Sequence, residues 1–283
     1  DSVPSVNIYK IVSDDMAEIP VTLMKWMMKS SCSSVITGGM GTGKTTLLRC
    51  LISFISGHKN IGVYEISPEL NLQITYPQRN ITSLVTTPSI SMQELFDFGK
   101  KTNRNVSIVG EIASAEMGVI YMQSASVASE MGLGTHHAKS TYDLVVSLRD
   151  YLTSKGGYSS EKVAEEAVVK AINFDIHLKI DKEHRYIERI TEIIPIRDRS
   201  YPFDKNDGVM TDEDTVEYYR RSTDRQSFTT RDIVVFKNGK YGYVNPISDE
   251  LMLDIRNKLS AEQEEVFTKD MQILEKYLEK KES

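Results

Sequence analysis

Cysteine is scarce in this chain of 283 residues, which holds only Cys32 and Cys50. Their number and spacing suit neither a disulfide framework nor a cysteine-ligated metal, so a reduced pair in a cytoplasmic protein is expected. Long apolar runs are missing as well. No stretch approaches the roughly 20 residues that a membrane-spanning helix needs, and the first residues lack the apolar core of a secretory signal. Any membrane association is therefore expected to be peripheral. Positive charge is the third shortage. Lys and Arg number 34 against 40 Asp and Glu, a net charge of −6, and strong sequence-independent binding to nucleic acid needs a basic face. No internal repeat is visible. The remaining composition, 40% apolar and 26% charged, is that of an ordinary folded protein, either one large domain or a core with appendages. The twelve methionines read as adaptable core filler rather than as a binding groove.

What the chain does have is a phosphate-binding loop. Gly38-Gly39-Met40-Gly41-Thr42-Gly43-Lys44-Thr45 fits G-x-x-x-x-G-K-[ST], and Thr46 follows. A strand-like run over Ser33–Thr37 precedes it and a helix-like run over Thr45–Ile52 follows, the order the chemistry requires. Glycines let the backbone bend so that amide N–H groups face phosphate oxygens. Lys44 would reach the terminal phosphates of a nucleoside triphosphate, and the Thr45 hydroxyl would meet Mg²⁺.

The rest of the chain supplies a frame. Strands are expected at Val6–Ile11, Ile61–Glu65, Ile81–Val85 and Val106–Gly110, and again from Gly132 to His137. Pro20 opens a short apolar helix through Trp26 and Met28. Ser91 and Glu94 form a capping box for a helix through Lys101. A helical stretch runs to about Glu130, and another helix starts at Ser140. This alternation predicts an α/β fold with a mostly parallel sheet and helices on both faces, binding its ligand at the carboxyl ends of the strands. Residues 1–30 read as a linker or the tail of a preceding domain, 31–200 as the phosphate-loop core, and 201–283 as an appendage. The appendage begins with a polar excursion at 204–231. A hairpin over Ile233–Tyr243 follows, with an Asn-Gly turn. Last comes a helix capped by Ser260 and Gln263, whose Phe267, Met271, Leu274 and Leu278 share one face. That face suits docking on its own domain or on a neighbouring subunit.

Triphosphate hydrolysis also needs a carboxylate to position water and a group near the metal. Glu111 ends an apolar strand and is the candidate beside the metal, together with Thr45. Glu65 and Glu69 flank Pro68 at another strand end, which reads as a water-polarising pair or as a turn. His136 and His137 follow a third strand, where an imidazole can sense phosphate or serve the structure.

Together these elements resemble the type II/type IV secretion ATPase superfamily, most closely its Tad (Flp) pilus-assembly and conjugation branch. The likeness runs from about Val6 to Ile196, with a weaker echo in the C-terminal hairpin. The family's acidic box, E-D-x-x-E, stands as Glu65-Ile66-Ser67-Pro68-Glu69. Its Walker B, G-E-[VI]-R, stands as Gly110-Glu111-Ile112-Ala113. Its histidine box stands as Thr135-His136-His137-Ala138-Lys139-Ser140, and Arg189–Ile193 resembles the strand closing the core. The resemblance implies a RecA-like core and a hexameric ATPase with ATP and Mg²⁺ as its ligands. Glu69 would be the water-activating base supported by Glu65, with Glu111 at the metal shell and His137 reporting the γ-phosphate. The implied partners are inner-membrane platform proteins of a secretion, conjugation or pilus machine. Ile66, Ala113 and Lys101 depart from the family pattern, and Glu130 stands near where some relatives place a further histidine. These departures keep open an ATP-binding switch with weak turnover. A nucleic-acid-translocating motor is the third reading. Family members also carry an N-terminal domain of which this chain shows only the tail end, as a fragment or shortened member would.

Overall fold

The computed structural model describes residues 14–182, 184–196, 211–213, 215, 216 and 227–279. The strand expected at Val6–Ile11 lies outside them, as does most of the polar excursion at 204–231. Where that excursion ends, Phe228–Arg231 already belongs to a strand.

Nine strands form one sheet in the order β3-β2-β4-β5-β1-β6-β7-β8-β9. They are β1 Ser34–Gly38, β2 Ile61–Glu65, β3 Ile81–Val85, β4 Val106–Val109, β5 Met131–His136, β6 Phe174–Asp181, β7 His184–Pro195, β8 Phe228–Lys237 and β9 Lys240–Tyr243. From β3 to β6 all neighbours are parallel, and β7, β8 and β9 continue as an antiparallel meander. Central β1 is buried at every position, as a parallel strand covered on both faces must be. The expected RecA-like α/β fold is the one observed.

One face of the sheet is covered by α1 (Glu18–Lys29), α2 (Lys44–Leu51), α8 (Asp249–Asn257) and α9 (Ala261–Glu279). The other carries α4 (Met92–Lys100), α5 (Ala115–Gln123), α6 (Thr141–Ser154) and α7 (Glu161–Ala171). A short α3 (Leu72–Thr75) precedes β3. Both capping boxes form. Ser91 and Glu94 exchange side-chain and backbone bonds at α4, and Ser260 and Gln263 do so at α9, with contacts of 3.0 and 3.3 Å. The Asn-Gly hairpin turn has φ +55 at Asn238 and +79 at Gly239, the left-handed pair that a two-residue turn demands.

Helix α9 docks on its own chain. Phe267 meets Trp26 edge-on at 5.2 Å, the Trp26 Nε1–H donates to Asp270 at 2.8 Å, and Met271 and Leu274 are buried in the same core. The helical stretch expected to about Glu130 reaches Ala128. Its α-helical part, α5, ends at Gln123 and loosens into a π turn over Ser124–Ala128, where Gly132 of β5 allows Ala125 to approach so closely that a Cβ would sit 2.7 Å away. No helix among the described residues is long and apolar enough to cross a membrane.

Candidate functional site

The loop between β1 and α2 has the geometry of its sequence. Gly41 and Gly43 take φ of +73 and +93, and a Cβ on Gly38 would lie 2.4 Å from the Leu178 carbonyl oxygen. Gly43 stands as the left-handed N-cap of α2 with no side-chain cap, so the first amides of α2 keep free donors at the positive end of a helix dipole. Such an end suits an anion.

Lys44 opens α2, and its ammonium donates to the carbonyl oxygens of Gly38 at 3.0 Å and Gly39 at 2.9 Å. Burial holds its pKa below the ordinary lysine value, opposed by the charge of Glu111. His137, just past β5, lies between the two. Its Nδ1 and Nε2 are 3.3 and 3.5 Å from the Lys44 ammonium, and its Nε2 is 3.2 Å from Glu111 Oε1. Both partners of the His137–Glu111 contact are about half exposed, 46% and 48%.

Lys44, Thr45, Thr46, Glu69, Glu111 and His137 line one cavity of about 760 Å³ with the loop residues Met40–Gly43. A smaller cavity of about 200 Å³ adjoins it, lined by Thr45, Glu65, Ile66, Glu69, Glu111 and Ala113 among others. Glu65 is 4% exposed. Its Oε1 accepts the backbone N–H groups of Glu69 at 3.0 Å and Leu70 at 2.9 Å, which fixes the loop carrying exposed Glu69. One hydroxyl and one half-exposed carboxylate fit Mg²⁺, which takes few protein oxygens and keeps water and phosphate as its other ligands.

The histidines divide. His136 turns away from the cavity. Its Nδ1 bonds the Ile112 carbonyl at 2.7 Å, its ring lies edge-on to Tyr151, and burial pushes its pKa down. Two departures from the family pattern are also remote from the chemistry. Lys101 is the C-cap of α4, at the edge formed by the amino ends of the strands, away from the phosphate loop. Glu130 precedes β5 at that same edge, where it pairs with Lys59 at 2.8 Å and accepts from Asn105 at 2.7 Å. Only Ile66 and Ala113, among the departures, reach the cavities.

Some site neighbours had no motif to announce them. Under the loop, Thr37 of β1 donates to buried Asp175 and faces His177 Nδ1 at 2.8 Å. Thr141 at the start of α6 also donates to Asp175, at 2.7 Å. Polar residues alternating along the apolar β6 were the available signal. From β7, His184 and Arg185 join the cavity wall, and nothing local in the sequence marked them. A larger groove of about 1270 Å³ lies between α6, α7 and β8. Several of its polar groups are already paired, Arg149 with Asp150, Glu165 with Ser227 and Thr191 with Asp232. Size and chemistry therefore part company here.

A glycine loop at the carboxyl end of central β1, a lysine at a helix start and carboxylates from neighbouring strands define a RecA-like phosphate-loop protein. Residues 5–171 match the family described as Type II/IV secretion system protein, and the chain belongs to that family of ATPases. It is 28% identical over 160 residues to an uncharacterised protein of Bacillus anthracis, covering 55% of this chain and 34% of that one. The conjugal transfer protein TrbB of Rhizobium radiobacter is 21% identical over 194 residues, 68% of this chain and 57% of TrbB. Among solved structures, the VirB11 ATPase from the Brucella suis type IV secretion system, in complex with sulphate, shares the fold. Its TM-score is 0.54 at 18% identity, over 62% of this chain and 52% of VirB11. The chain thus spans between a third and three fifths of the length of these relatives.

Proposed function

We propose that this chain is the ATP-hydrolysing engine of a secretion, conjugation or pilus-assembly machine. It would work as a hexamer on the cytoplasmic face of a membrane, docked on platform proteins. The observation that carries this reading is the convergence of Lys44, Thr45, Glu69, Glu111 and His137 on one cavity at the phosphate loop. TrbB is a conjugal transfer protein, and VirB11, an ATPase of a secretion system, was solved with sulphate, an anion shaped like phosphate. Both support the reading.

The loop amides of Gly39–Gly43 and the first amides of α2, at Lys44, Thr45 and Thr46, hold the phosphates. Lys44 exchanges its two carbonyl partners for phosphate oxygens. That exchange changes the position of the cation beside the His137 ring, so nucleotide binding is felt at His137 and, through their contact, at Glu111. Glu65 keeps the Glu69 backbone in place, and the free Glu69 carboxylate orients and deprotonates the attacking water. Thr45 and Glu111 would hold Mg²⁺, which supplies charge neutralisation on the phosphates when bound.

Steady-state ATP hydrolysis across a range of protein concentrations tests this, with Lys44→Ala beside the unsubstituted chain. Turnover that rises with concentration and disappears in the variant is the expected result. Turnover insensitive to the lysine would refute it. Ile66 and Ala113 at the smaller cavity favour a second reading, a nucleotide-dependent switch. That reading requires ATP binding that depends on Lys44 without matching hydrolysis.

A further inference from the structure

We propose that Arg185 is a polyphosphate ligand supplied to the phosphate loop from the β6–β7 hairpin of the same chain. The inference rests on the nucleotide reading of the cavity.

Arg185 is the second residue of β7, paired across the hairpin with Ile180. Its Nε donates to the carbonyl oxygen of Gly41 at 2.8 Å, in the middle of the phosphate loop and 144 positions away. It is the one arginine lining the 760 Å³ cavity among the described residues. The hairpin end that carries it is held in place. His184 Nε2 lies 3.0 Å from Asp14 Oδ1, before α1. The His184 ring stacks on Tyr186 at 5.5 Å, and Tyr186 packs against Phe236 of β8 at 4.8 Å. Arg185 is therefore delivered by a braced strand end and not by a free loop.

This guanidinium rests on a backbone carbonyl, as those of Arg79 and Arg231 do, and it differs from those paired with carboxylates. Arg149 faces Asp150 at 2.8 Å and Arg189 faces Glu188 at 2.7 Å. Among the described residues Arg185 faces no carboxylate, and its two terminal nitrogens have no hydrogen-bond partner. One edge of the planar fork is used on the loop and the other is unspent. Lys44 lines the same cavity and also rests on loop carbonyls. Neither cation is held in a direct ion pair among the described residues, and a polyanion placed between them is bound by both. The guanidinium offers phosphate oxygens a two-point contact that an ammonium cannot reproduce. Because hairpin and loop belong to one chain, this contact needs no neighbouring subunit.

The test is calorimetric titration of ATP, ADP and AMP into the whole chain and into Arg185→Ala and Arg185→Lys, at several salt concentrations. Loss of charge-assisted hydrogen bonds to phosphate predicts about 10- to 100-fold weaker ATP and ADP binding in Arg185→Ala. The salt dependence should be shallower and the AMP affinity nearly unchanged, with Arg185→Lys recovering only part. Melting of the nucleotide-free protein should not shift. Undiminished ATP and ADP affinity in Arg185→Ala would overturn the proposal while leaving the nucleotide site standing. An equal loss for all three nucleotides, or an unaltered salt dependence, would make Arg185 a brace for the loop and overturn it too. If the unsubstituted chain binds no ATP, or binds it as Lys44→Ala does, the nucleotide reading itself fails.

Discussion

The edges formed by the amino and by the carboxyl ends of the parallel strands each hold a lysine and a glutamate, and they use them oppositely. At the amino edge Lys59 meets Glu130 directly at 2.8 Å. Ser31 takes a further bond from Lys59, and Asn105 occupies the other carboxylate oxygen. At the carboxyl edge Lys44 and Glu111 do not touch. His137 stands between them at 3.3 and 3.2 Å, and the ammonium rests on carbonyls that a phosphate can replace. The first cluster spends its hydrogen-bonding capacity on the fold. The second keeps capacity in reserve, and that reserve distinguishes a site from a staple when the residue types are the same.

The comparison breaks most sharply on Lys44. Lys44→Ala should reduce ATP turnover to background, more than about 1,000-fold, because it removes the cation held within the phosphate loop itself. Next come Glu69→Gln and Glu111→Gln. Each should lower kcat about 100-fold while ATP still binds, measured by steady-state rates beside nucleotide titration. Unchanged rates in both would remove these carboxylates from the chemistry.

Much of this was legible, and the reasons are local. Ile61–Glu65 and Ile81–Val85 are short β-branched runs between turn residues, and both occur with those bounds. The phosphate loop and both capping boxes are encoded within a few consecutive residues, and their geometry follows. What stayed hidden depends on strand order. The contacts of Arg185 with Gly41, Thr37 with Asp175 and Lys59 with Glu130 join residues 71 to 144 positions apart, so no local pattern could pair them. The two adjacent histidines show the same limit. Only after β5 is placed between β4 and β1 does His136 face Tyr151 and His137 face the cavity.

A saturated network also lies directly under the loop, which sharpens the comparison. His177 is buried against Thr37, and burial drops its pKa to about 4 from 6.5. The unfolded chain takes up a proton below about pH 6.5, while folded His177 resists until about 4. Its stabilising contribution is therefore full above pH 6.5 and lost as the pH falls toward 4, by up to about 3 kcal/mol. Urea unfolding across this range should show that decline. His177→Asn, whose amide can mimic the Nδ1–H donor, should flatten it. A decline of equal size in the variant would assign the acid sensitivity elsewhere.

The smallest effect belongs to the amino edge. Glu130 is 53% exposed, so its pairing with Lys59 should couple by about 1 kcal/mol or less in a Lys59→Met, Glu130→Gln double-mutant cycle. The Lys59 hydrogen bond, with help from Asn105, holds the Glu130 pKa below the usual carboxylate range. The coupling should therefore be present at neutral pH and fade as acid protonates the folded carboxyl. ATP affinity should not move in either single variant, because the pair sits across the sheet from the phosphate loop. Weaker nucleotide binding on loss of Lys59 would mean that the two edges communicate, and the division between staple and site would fail.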